Sequence, residues 1–400
     1  MIRVALMVFG LIVGLVCTEI FLRVRPPIPA EDVLPFALRE EDLERIIEGD
    51  AYIRFDPVLG WAATESSARR DGKITYQTNS AGMRSDHEIP IERTPGVTRL
   101  ASFGDSFTFC DEVNNSECWA VQLERESPGT EVLNFGVPAY GPDQAWLRYQ
   151  RDGAQYQPCG VIIGYMVENI HRVVNRFRPF YRPETGIVLS KPRFLWDGNQ
   201  LQLLPNPISS PEMIEDLRWV ESTLGPNDPW YYQGMFQGGP LDLLQSVRLA
   251  KTVAYQRRLG YGTEDGDLSK RLGWAYQPDQ EGFQVASNVL IGFANDVRAH
   301  GASPVVVVFP RKEEVINMRD LKTKAHAPLL DKLASAGIPT IDVTDILLRQ
   351  SRGRGVDSLI DKHYTARGNK AVGEALAQQL PSLMAPTCQT GAPSPTVAQQ

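Results

Sequence analysis

The chain has 400 residues, 42% of them hydrophobic and 22% charged, an ordinary balance for a globular protein with one large domain and additions. Its formal net charge of -7 gives no reason to expect nucleic acid as a partner, because phosphate binding relies on a basic face. The function must therefore be sought in particular side chains rather than in the overall charge.

The chain opens with an apolar run. Residues Val4–Thr18 are apolar apart from glycines and the last two residues, and Ile20–Leu22 resume the pattern after Glu19. This length is short for a membrane-spanning helix of about 20 residues and also suits a signal-sequence core, but no small-residue cleavage site follows. We predict that residues 1–24 form an uncleaved signal anchor, with the rest of the chain periplasmic or otherwise extracytoplasmic. The alternative is a buried amino-terminal helix of a cytosolic protein.

Residues 25–92 mix a proline-rich linker, a charged helical stretch and short alternating strands, so we predict an amino-terminal extension that acts as a collar on the next domain. A buried strand then ends in Leu100–Phe103 and breaks at Gly104, which is followed by Asp105 and Ser106. At the carboxyl end of a strand the Ser106 hydroxyl would stand clear of the sheet, with its own backbone NH directed at a bound carbonyl. The same tripeptide also favours an ordinary turn.

Strands and helices alternate after Ser106, which predicts an α/β fold with a parallel sheet and reactive groups at the carboxyl ends of its strands. The predicted elements are a helix near 117–124, strand 131–137, helix 142–155, strand 160–165, helix 282–299, strand 303–309, helix 328–336, strand 339–343 and helix 366–380. Residues 175–281 interrupt this alternation and are predicted to form an insertion. It contains a hairpin near 193–204 and an aromatic group, and it either buries its own core or covers the site as a lid.

A second chemical motif lies near the end of the chain, where Asp361 and His363 precede the last helix. A serine nucleophile needs a base to take its proton and an acid to hold that base in one tautomer. Taken alone, His363 equally well caps the helix that starts near Thr365. Taken with Ser106, the two residues complete a catalytic triad in the order Ser, Asp, His.

The chain at this point resembles the SGNH (GDSL-type) hydrolase superfamily, with its early Gly-Asp-Ser motif and its late acid and histidine. The acid of that superfamily often stands three residues before the histidine, whereas Ile360 occupies that position here. The Asp-x-His form followed by an aromatic residue and Thr looks more like the membrane-anchored bacterial branch that includes the alginate O-acetylation proteins. Asp361 is the predicted acid, and Asp357 is the reserve. The resemblance implies a three-layer, flavodoxin-like domain.

The resemblance also implies an oxyanion hole. Its donors would be the NH of Ser106, the NH of Gly136 at the end of the second strand, and the side chain of Asn169 after the third. The third block departs from the family pattern, since Glu168 can occupy the same position and Asn169 can simply cap the next helix. For Gly136 the alternative is an ordinary strand-to-loop glycine.

The motifs imply no cofactor, and the scattered histidines lack metal-ligand spacing, so no metal is predicted. Cys110 and Cys118 can form a disulfide in an exported protein, but their spacing leaves this open. Four arginines after the third strand favour a solvated face over a clamp for an anionic substrate: Arg172, Arg176, Arg178 and Arg182.

We predict a membrane-anchored serine esterase that hydrolyses O-acyl esters, such as O-acetyl esters, of a carbohydrate or lipid through an acyl-enzyme. The alternatives are an O-acetyltransferase acting on a cell-envelope polysaccharide and a non-catalytic polysaccharide-binding or scaffold protein. The expected partners are a small-molecule or polysaccharide ester and the membrane, and no protein partner is indicated. The predicted domains are the anchor 1–24, the extension 25–92, the core in two parts (93–174 and 282–380), the insertion 175–281 and a disordered tail 381–400.

Overall fold

The computed structural model describes residues 2–29, 33–183, 185–258, 268–385 and 388. Within these residues the strands are β1 (Ile53–Asp56), β2 (Gly60–Ala63), β3 (Ala68–Asp71), β4 (Ile74–Gln77), β5 (Thr98–Phe103), β6 (Thr130–Asn134), β7 (Gly160–Met166), β8 (Arg193–Trp196), β9 (Leu201–Leu204), β10 (Ser303–Phe309) and β11 (Thr340–Asp342). The described helices are α1 (Ile2–Val24), α2 (Glu40–Glu48), α3 (Ser106–Phe109), α4 (Trp119–Glu126), α5 (Pro142–Arg148), α6 (Asn169–Arg172), α7 (Arg178–Tyr181), α8 (Leu217–Leu224), α9 (Gln245–Arg258), α10 (Leu268–Ala275), α11 (Glu281–Ala299), α12 (Lys312–Asp320), α13 (Ala327–Ser335), α14 (Thr344–Gln350) and α15 (Ala366–Leu383).

The described residues form two compact units. The sheet unit comprises those within 45–174, 190–209 and 268–400, and the helical unit comprises those within 1–44, 175–189 and 210–267. The segment 190–209 therefore belongs with the sheet, although it lies inside the predicted insertion. The domain boundaries drawn from the sequence stay a prediction.

The sheet unit is built on five strands in the order β6-β5-β7-β10-β11. Every neighbouring pair in this sheet is parallel. Numbered along the chain, this is the flavodoxin-like order 2-1-3-4-5. The predicted α/β class is confirmed.

Alternating side chains of each central strand pack on opposite faces of the sheet, as the two-residue period of a strand requires. Ala101 of β5 and Ile163 of β7 face a core built with α5, α11 and α13. Leu100 and Ile162, one residue away, face a second core built with α4, α14 and α15. Because both faces of the sheet are covered, residues on both sides of each central strand are apolar. Such continuous apolar runs can be recognised in the sequence.

The order in which the chain adds strands reverses at β5: the next strand, β6, lies on one side of β5, and β7 lies on the other. Open parallel sheets bind ligands outside the carboxyl ends of the strands at such a switch point. Ser106 follows β5, and Asn169 follows β7. The topology therefore places the first residues of α3 and α6 at the edge of the sheet where ligands bind in such folds.

The predicted hairpin near 193–204 is confirmed, since β8 and β9 pair antiparallel. In the helical unit, Phe180 stacks on Phe236 and also contacts Phe177 and Tyr231, so this unit has a small aromatic core of its own. The predicted solvated face is wrong for three of the four arginines. Arg172, Arg176 and Arg178 are buried. Charge pattern cannot distinguish a solvated arginine from one whose partners lie far away in the sequence.

Helix α1 is a 23-residue apolar helix without a buried side chain. It is long and apolar enough to cross a membrane, and a signal sequence near an amino terminus has the same character. At the other end, residues up to Leu383 are helical. Most of the segment 381–400, for which disorder is predicted, lies outside the described residues.

Two disulfides join parts of the sheet unit. The short disulfide links Cys110 to Cys118, eight residues apart, and the long disulfide links Cys159 to Cys388, 229 residues apart. The first pairing was left open by the sequence, and the second was not anticipated. Among the described cysteines, only Cys17 is free.

Candidate active site

Ser106 begins a short helix directly after β5. Asp105 caps this helix, its carboxylate accepting a hydrogen bond of 2.9 Å from the NH of Phe107. A side chain on Gly104 would lie within 2.8 Å of the Gly164 carbonyl oxygen and closer still to the Thr108 hydroxyl. The Gly-Asp-Ser sequence thus has a packing reason as well as a chemical one, because glycine lets the turn approach β7 and aspartate starts the helix.

The side chains of Ser106 and His363 meet, although 257 residues separate them along the chain. The Ser106 hydroxyl and the His363 Nε2 lie 2.9 Å apart, at hydrogen-bond distance. The Phe107 ring packs beside the imidazole, with the two ring centres 5.1 Å apart. Ser106 is buried, and the His363 side chain is 23% exposed, so the pair lies at the edge of the protein interior. At this distance the hydroxyl can pass its proton to the imidazole, which is the geometry that activation of a serine requires.

The carboxylate nearest the other imidazole nitrogen belongs to Glu112. Its Oε1 lies 3.5 Å from Nδ1, and its Oε2 accepts a hydrogen bond of 3.2 Å from the backbone NH of His363. Asp361 is exposed, and its own backbone NH donates to the His363 carbonyl. Asp357 is ion-paired with Lys312. Within the described part of the chain, neither aspartate has a hydrogen bond or ion pair with the imidazole, so the role of Asp361 as triad acid stays a prediction.

Three acidic residues face His363 and set its charge. Burial lowers the pKa of His363, but the Glu112 contact and the negative charges of Asp111 and Asp105 outweigh burial, and the pKa is raised above its ordinary value. The pKa of Glu112 is lowered, first by the same contact with His363. Both directions indicate an imidazole that accepts and holds a proton readily, as a general base must.

Asp111 is buried beside the pair. Its Oδ1 accepts a hydrogen bond from the Tyr52 hydroxyl, and its Oδ2 lies 3.9 Å from the His363 Nε2. Burial raises the pKa of Asp111, and the attraction of His363 opposes this rise. The Asp111 carboxyl group therefore lies on the side of the imidazole that faces Ser106.

The amino-terminal extension holds the loop that carries these acids. The Tyr76 hydroxyl accepts a hydrogen bond of 3.0 Å from the NH of Glu112, and the Arg84 guanidinium donates one of 2.7 Å to the Val113 carbonyl. Arg84 also lies over the Tyr76 ring. Residues of the extension thus support the site without entering its chemistry.

Gly136 follows β6 and lies beside α3, the short helix that begins with Ser106. Its NH donates a hydrogen bond of 2.9 Å to the Asn134 Oδ1, so this predicted oxyanion donor already has a partner. A side chain at Gly136 would lie within 2.8 Å of the backbone of Thr108 and Phe109. Glycine is therefore required at this position by close packing against α3, whether or not its NH serves a substrate.

Glu168 and Asn169 are the two candidates for the third position of the oxyanion hole, and they differ in their hydrogen bonds. Glu168 accepts a hydrogen bond of 2.8 Å from Arg311. The Asn169 side chain is buried, and neither its nitrogen nor its oxygen has a hydrogen-bond partner among the described residues. It is close enough to Asp105 to lower the pKa of that acid, whereas burial acts first and raises it. A buried amide without a well-aligned partner is costly, and the Asn169 amide keeps the capacity to donate a hydrogen bond.

Arg172 lies on the far side of Asp105. Its guanidinium is 3.5 Å from the Asp105 carboxylate and donates a hydrogen bond of 3.4 Å to the Tyr140 carbonyl. Asp105 is fully buried, and this cation is the largest influence that opposes the rise of its pKa. Within the described ranges no group of three or more His, Cys, Asp or Glu side chains is arranged to hold a metal ion.

Sequence reasoning missed the acidic loop. Asp111 and Glu112 follow Ser106 closely, but no spacing rule connects Glu112 to a histidine 251 residues further on. The signal that could have indicated them is the pair of cysteines, since a disulfide beside a candidate nucleophile implies a loop held in a defined shape. Only the tertiary contacts identify what that shape positions.

No family model matches the chain, and no curated protein matches it. Among solved structures, the chain is similar to a lipolytic protein of the G-D-S-L family from Desulfitobacterium hafniense (12% identity, 70% of this chain and 98% of that chain, TM-score 0.31). It is also similar to an α/β hydrolase from the metagenome of Lake Arreo (11% identity, 73% and 99%, TM-score 0.38). A catalytic mutant of an acetylxylan esterase from Geobacillus stearothermophilus is a third such structure (10% identity, 72% and 95%, TM-score 0.35).

Proposed function

We propose that this chain is a membrane-anchored serine esterase of the SGNH (GDSL) type, which hydrolyses an O-acyl ester through an acyl-enzyme. The observation that carries the proposal is the 2.9 Å contact between the Ser106 hydroxyl and the His363 Nε2 at the carboxyl end of β5. Two side chains so far apart in sequence meet at a switch point of the sheet, which is where such folds place their ligands.

In the proposed reaction the Ser106 oxygen attacks the ester carbonyl while His363 takes the hydroxyl proton. The protonated imidazole then gives this proton to the leaving alcohol, and an acyl-serine remains. His363 next activates water, which attacks the acyl carbon, and the proton returns to Ser106 as the carboxylic acid leaves. The raised pKa of His363 suits it to accept the proton in each attack.

The developing oxyanion would be stabilised by the backbone NH of Ser106 and by the side-chain amide of Asn169, which is buried and unpaired among the described residues. Gly136 can contribute only by sharing its NH with Asn134. Each well-placed donor is worth about 3 kcal/mol of barrier lowering. The acid of the triad is Asp361 by sequence prediction, and Glu112 is the acid closest to Nδ1.

The proposed location is the membrane, with the sheet unit outside the cytoplasm. The apolar helix α1 is long enough to span a bilayer, at about 1.5 Å per residue over its 23 residues. The two disulfides support an oxidising compartment, since such bonds are rare in the cytosol. An O-acetyl or other O-acyl ester of a carbohydrate or lipid is the proposed substrate class.

The test is covalent labelling of the full chain in detergent with a fluorophosphonate, alongside hydrolysis of p-nitrophenyl acetate. We expect the parent to react in both assays and Ser106→Ala to react in neither. Ser116→Ala removes an exposed hydroxyl from the neighbouring segment and should behave as the parent. A parent that neither labels nor hydrolyses would overturn the proposal. Repeating the reaction with an oligosaccharide acceptor separates hydrolysis from transfer to a sugar.

A further inference from the structure

The Glu112 carboxylate contacts His363 at two points. One oxygen lies 3.5 Å from the imidazole Nδ1, and the other accepts the backbone NH of the same residue at 3.2 Å. Nδ1 is buried and has no well-aligned hydrogen bond among the described residues, so this carboxylate is the acceptor within closest reach. In a serine triad the acid occupies this position, opposite the nitrogen that faces the nucleophile.

The backbone around Glu112 is held in a conformation that side chains rarely adopt. Cys110 and Glu112 both have φ of +67°, in the left-handed region that favours glycine. Such residues persist only where their surroundings hold them, and they concentrate at functional sites. Here the short disulfide fixes Cys110, and the Tyr76 hydroxyl accepts the NH of Glu112. The loop is built to keep the Glu112 carboxylate in one place.

The other described acids near the imidazole do not contact its Nδ1 atom. Asp111 lies 3.9 Å from Nε2, the nitrogen that faces Ser106, and its second oxygen is engaged by Tyr52. Asp361 is exposed because an isolated bridge between Ile360 and Tyr364 folds residues 361–363 into a turn. Asp105 is occupied as the cap of α3.

We infer that Glu112, not Asp361, is the positioning acid of the triad. Its carboxylate accepts the Nδ1 proton, which leaves the Nε2 lone pair directed at the Ser106 hydroxyl, and it stabilises the imidazolium once the proton has moved. This inference rests on the proposed esterase function, and it changes which residue completes the site.

The test compares Glu112→Gln with Asp361→Asn in the full chain, since each variant removes one charge and keeps the side-chain shape. We expect Glu112→Gln to lower kcat by roughly 10³- to 10⁴-fold with little change in KM. The midpoint of its pH–rate profile should also move to lower pH, because one source of the raised His363 pKa is gone. Asp361→Asn should keep the parent's kcat within a few-fold and the parent's pH midpoint.

The outcomes are distinguishable from failure of the esterase proposal. Full activity in Glu112→Gln together with loss in Asp361→Asn would overturn the inference and leave the esterase intact. An inactive parent that cannot be labelled would overturn both. If Glu112→Gln does not fold, Tyr76→Phe removes only the acceptor of the Glu112 NH, and it should lower kcat and shift the pH midpoint in the same direction. An unchanged midpoint in Tyr76→Phe would then count against Glu112.

A second observation, independent of the site, lies in the helical unit. Three leucines just before α9 are exposed: Leu241 (65%), Leu243 (77%) and Leu244 (41%). We call residues 240–244 the leucine tip. An apolar cluster of this kind is costly in water and marks a binding surface.

The leucine tip is tied to the carboxyl-terminal end of α1. The Arg23 guanidinium donates a hydrogen bond of 3.0 Å to the Leu243 carbonyl. The Glu19 carboxylate accepts the backbone NH groups of Gln245 at 2.7 Å and Ser246 at 2.9 Å. These bonds explain a carboxylate inside an apolar helix, because the positive end of α9 compensates its charge.

We infer that the leucine tip inserts into the lipid surface next to the point where α1 leaves the membrane. Glu19 lies five residues before the end of α1, or about 7 Å along the helix axis, which is the depth of the headgroup region. The bonds of Glu19 hold the start of α9 at this level, and the bond of Arg23 holds the Leu243 carbonyl nearer the end of α1. The leucine tip therefore lies beside the carboxyl-terminal part of the apolar helix. A lipid bilayer is the partner that can cover both. This inference rests on the proposed anchor.

The test uses the full chain with Cys17→Ser, reconstituted in phosphatidylcholine and phosphatidylglycerol vesicles that contain brominated lipid. An environment-sensitive fluorophore on Leu243→Cys should emit at shorter wavelength and be quenched by the bromine atoms. A label on Val13→Cys within α1 is the positive control, and a label on the exposed Arg218→Cys is the comparison. Quenching at position 243 no stronger than at position 218 would overturn the inference. A label at position 13 that is not quenched would overturn the anchor as well.

Discussion

Replacing Gly136 with alanine tests the packing role of this residue, because alanine adds a side chain and keeps the backbone NH. The new methyl group would lie within 2.8 Å of the Phe109 nitrogen, the Thr108 carbonyl carbon and the Phe109 Cα. Ordinary carbon contacts lie at roughly 3.5–4.0 Å, so a gap of about 1 Å has to be opened. All three atoms are backbone and cannot rotate away. Helix α3, which begins with Ser106, and the segment around Gly136 must therefore move apart.

We expect two measurable consequences of this displacement. Overpacking of this size lowers the free energy of unfolding by about 1–3 kcal/mol. A shift of about 1 Å at the nucleophile lowers kcat by roughly 100-fold, because the 2.9 Å contact with His363 is lost. The measurements are chemical denaturation and p-nitrophenyl acetate hydrolysis. Gly273→Ala is the matched control, since a side chain there meets nothing within 4 Å. A Gly136→Ala variant with the parent's stability and kcat would refute this account of the packing.

Three further predictions concern the site. Asn169→Ala should lower kcat by roughly 10²- to 10³-fold with KM little changed, if its amide meets the oxyanion; an unchanged kcat would remove it from the site. Replacing both cysteines of the short disulfide with serine should cost about 2.6 kcal/mol of unfolding free energy by loop entropy. It should also lower kcat. Serine replacement of the long disulfide should lower the free energy of unfolding by a larger amount and kcat by a smaller factor. Because the pKa of His363 is raised, kcat/KM should rise with pH through a midpoint above about 6.5. The raised pKa of His363 also stabilises the fold. This stabilisation is complete below the ordinary histidine pKa of about 6.5 and is lost as the pH rises through the folded-state pKa. The unfolding free energies of the parent and of His363→Asn should therefore differ most at low pH.

The sheet was predictable from the sequence because its strands are buried on both faces. β5, β7 and β10 are continuous apolar runs bounded by turn residues, and such runs need no tertiary information to be recognised. The contact between Ser106 and His363 was expected from motif order alone. What the sequence could not supply was the partner of the second imidazole nitrogen, since that depends on two left-handed residues and a disulfide.

The acid illustrates the limit in physical terms. An Asp-x-His spacing places both side chains on one face only if the backbone between them is extended. Here Ile360 pairs with Tyr364, and the residues between them form a turn, so Asp361 points to solvent. The buried arginines show the same limit, because Arg172 is kept inside by Asp105, 67 residues away.

The contacts of the extension also bear on how the catalytic unit should be delimited. Tyr52, Tyr76 and Arg84 each hold part of the loop between Cys110 and Val113. A domain that begins at residue 93, where the predicted core starts, would lose all three contacts and with them the support for two residues in the left-handed region. The loop would then be held by the short disulfide, by the backbone bonds from Cys110 and Asp111 to the Ser106 carbonyl and by the contact of Glu112 with His363, so we expect the Glu112 carboxylate to be held less firmly at the imidazole. The extension therefore supports the loop that carries Asp111 and Glu112, the two acids beside His363.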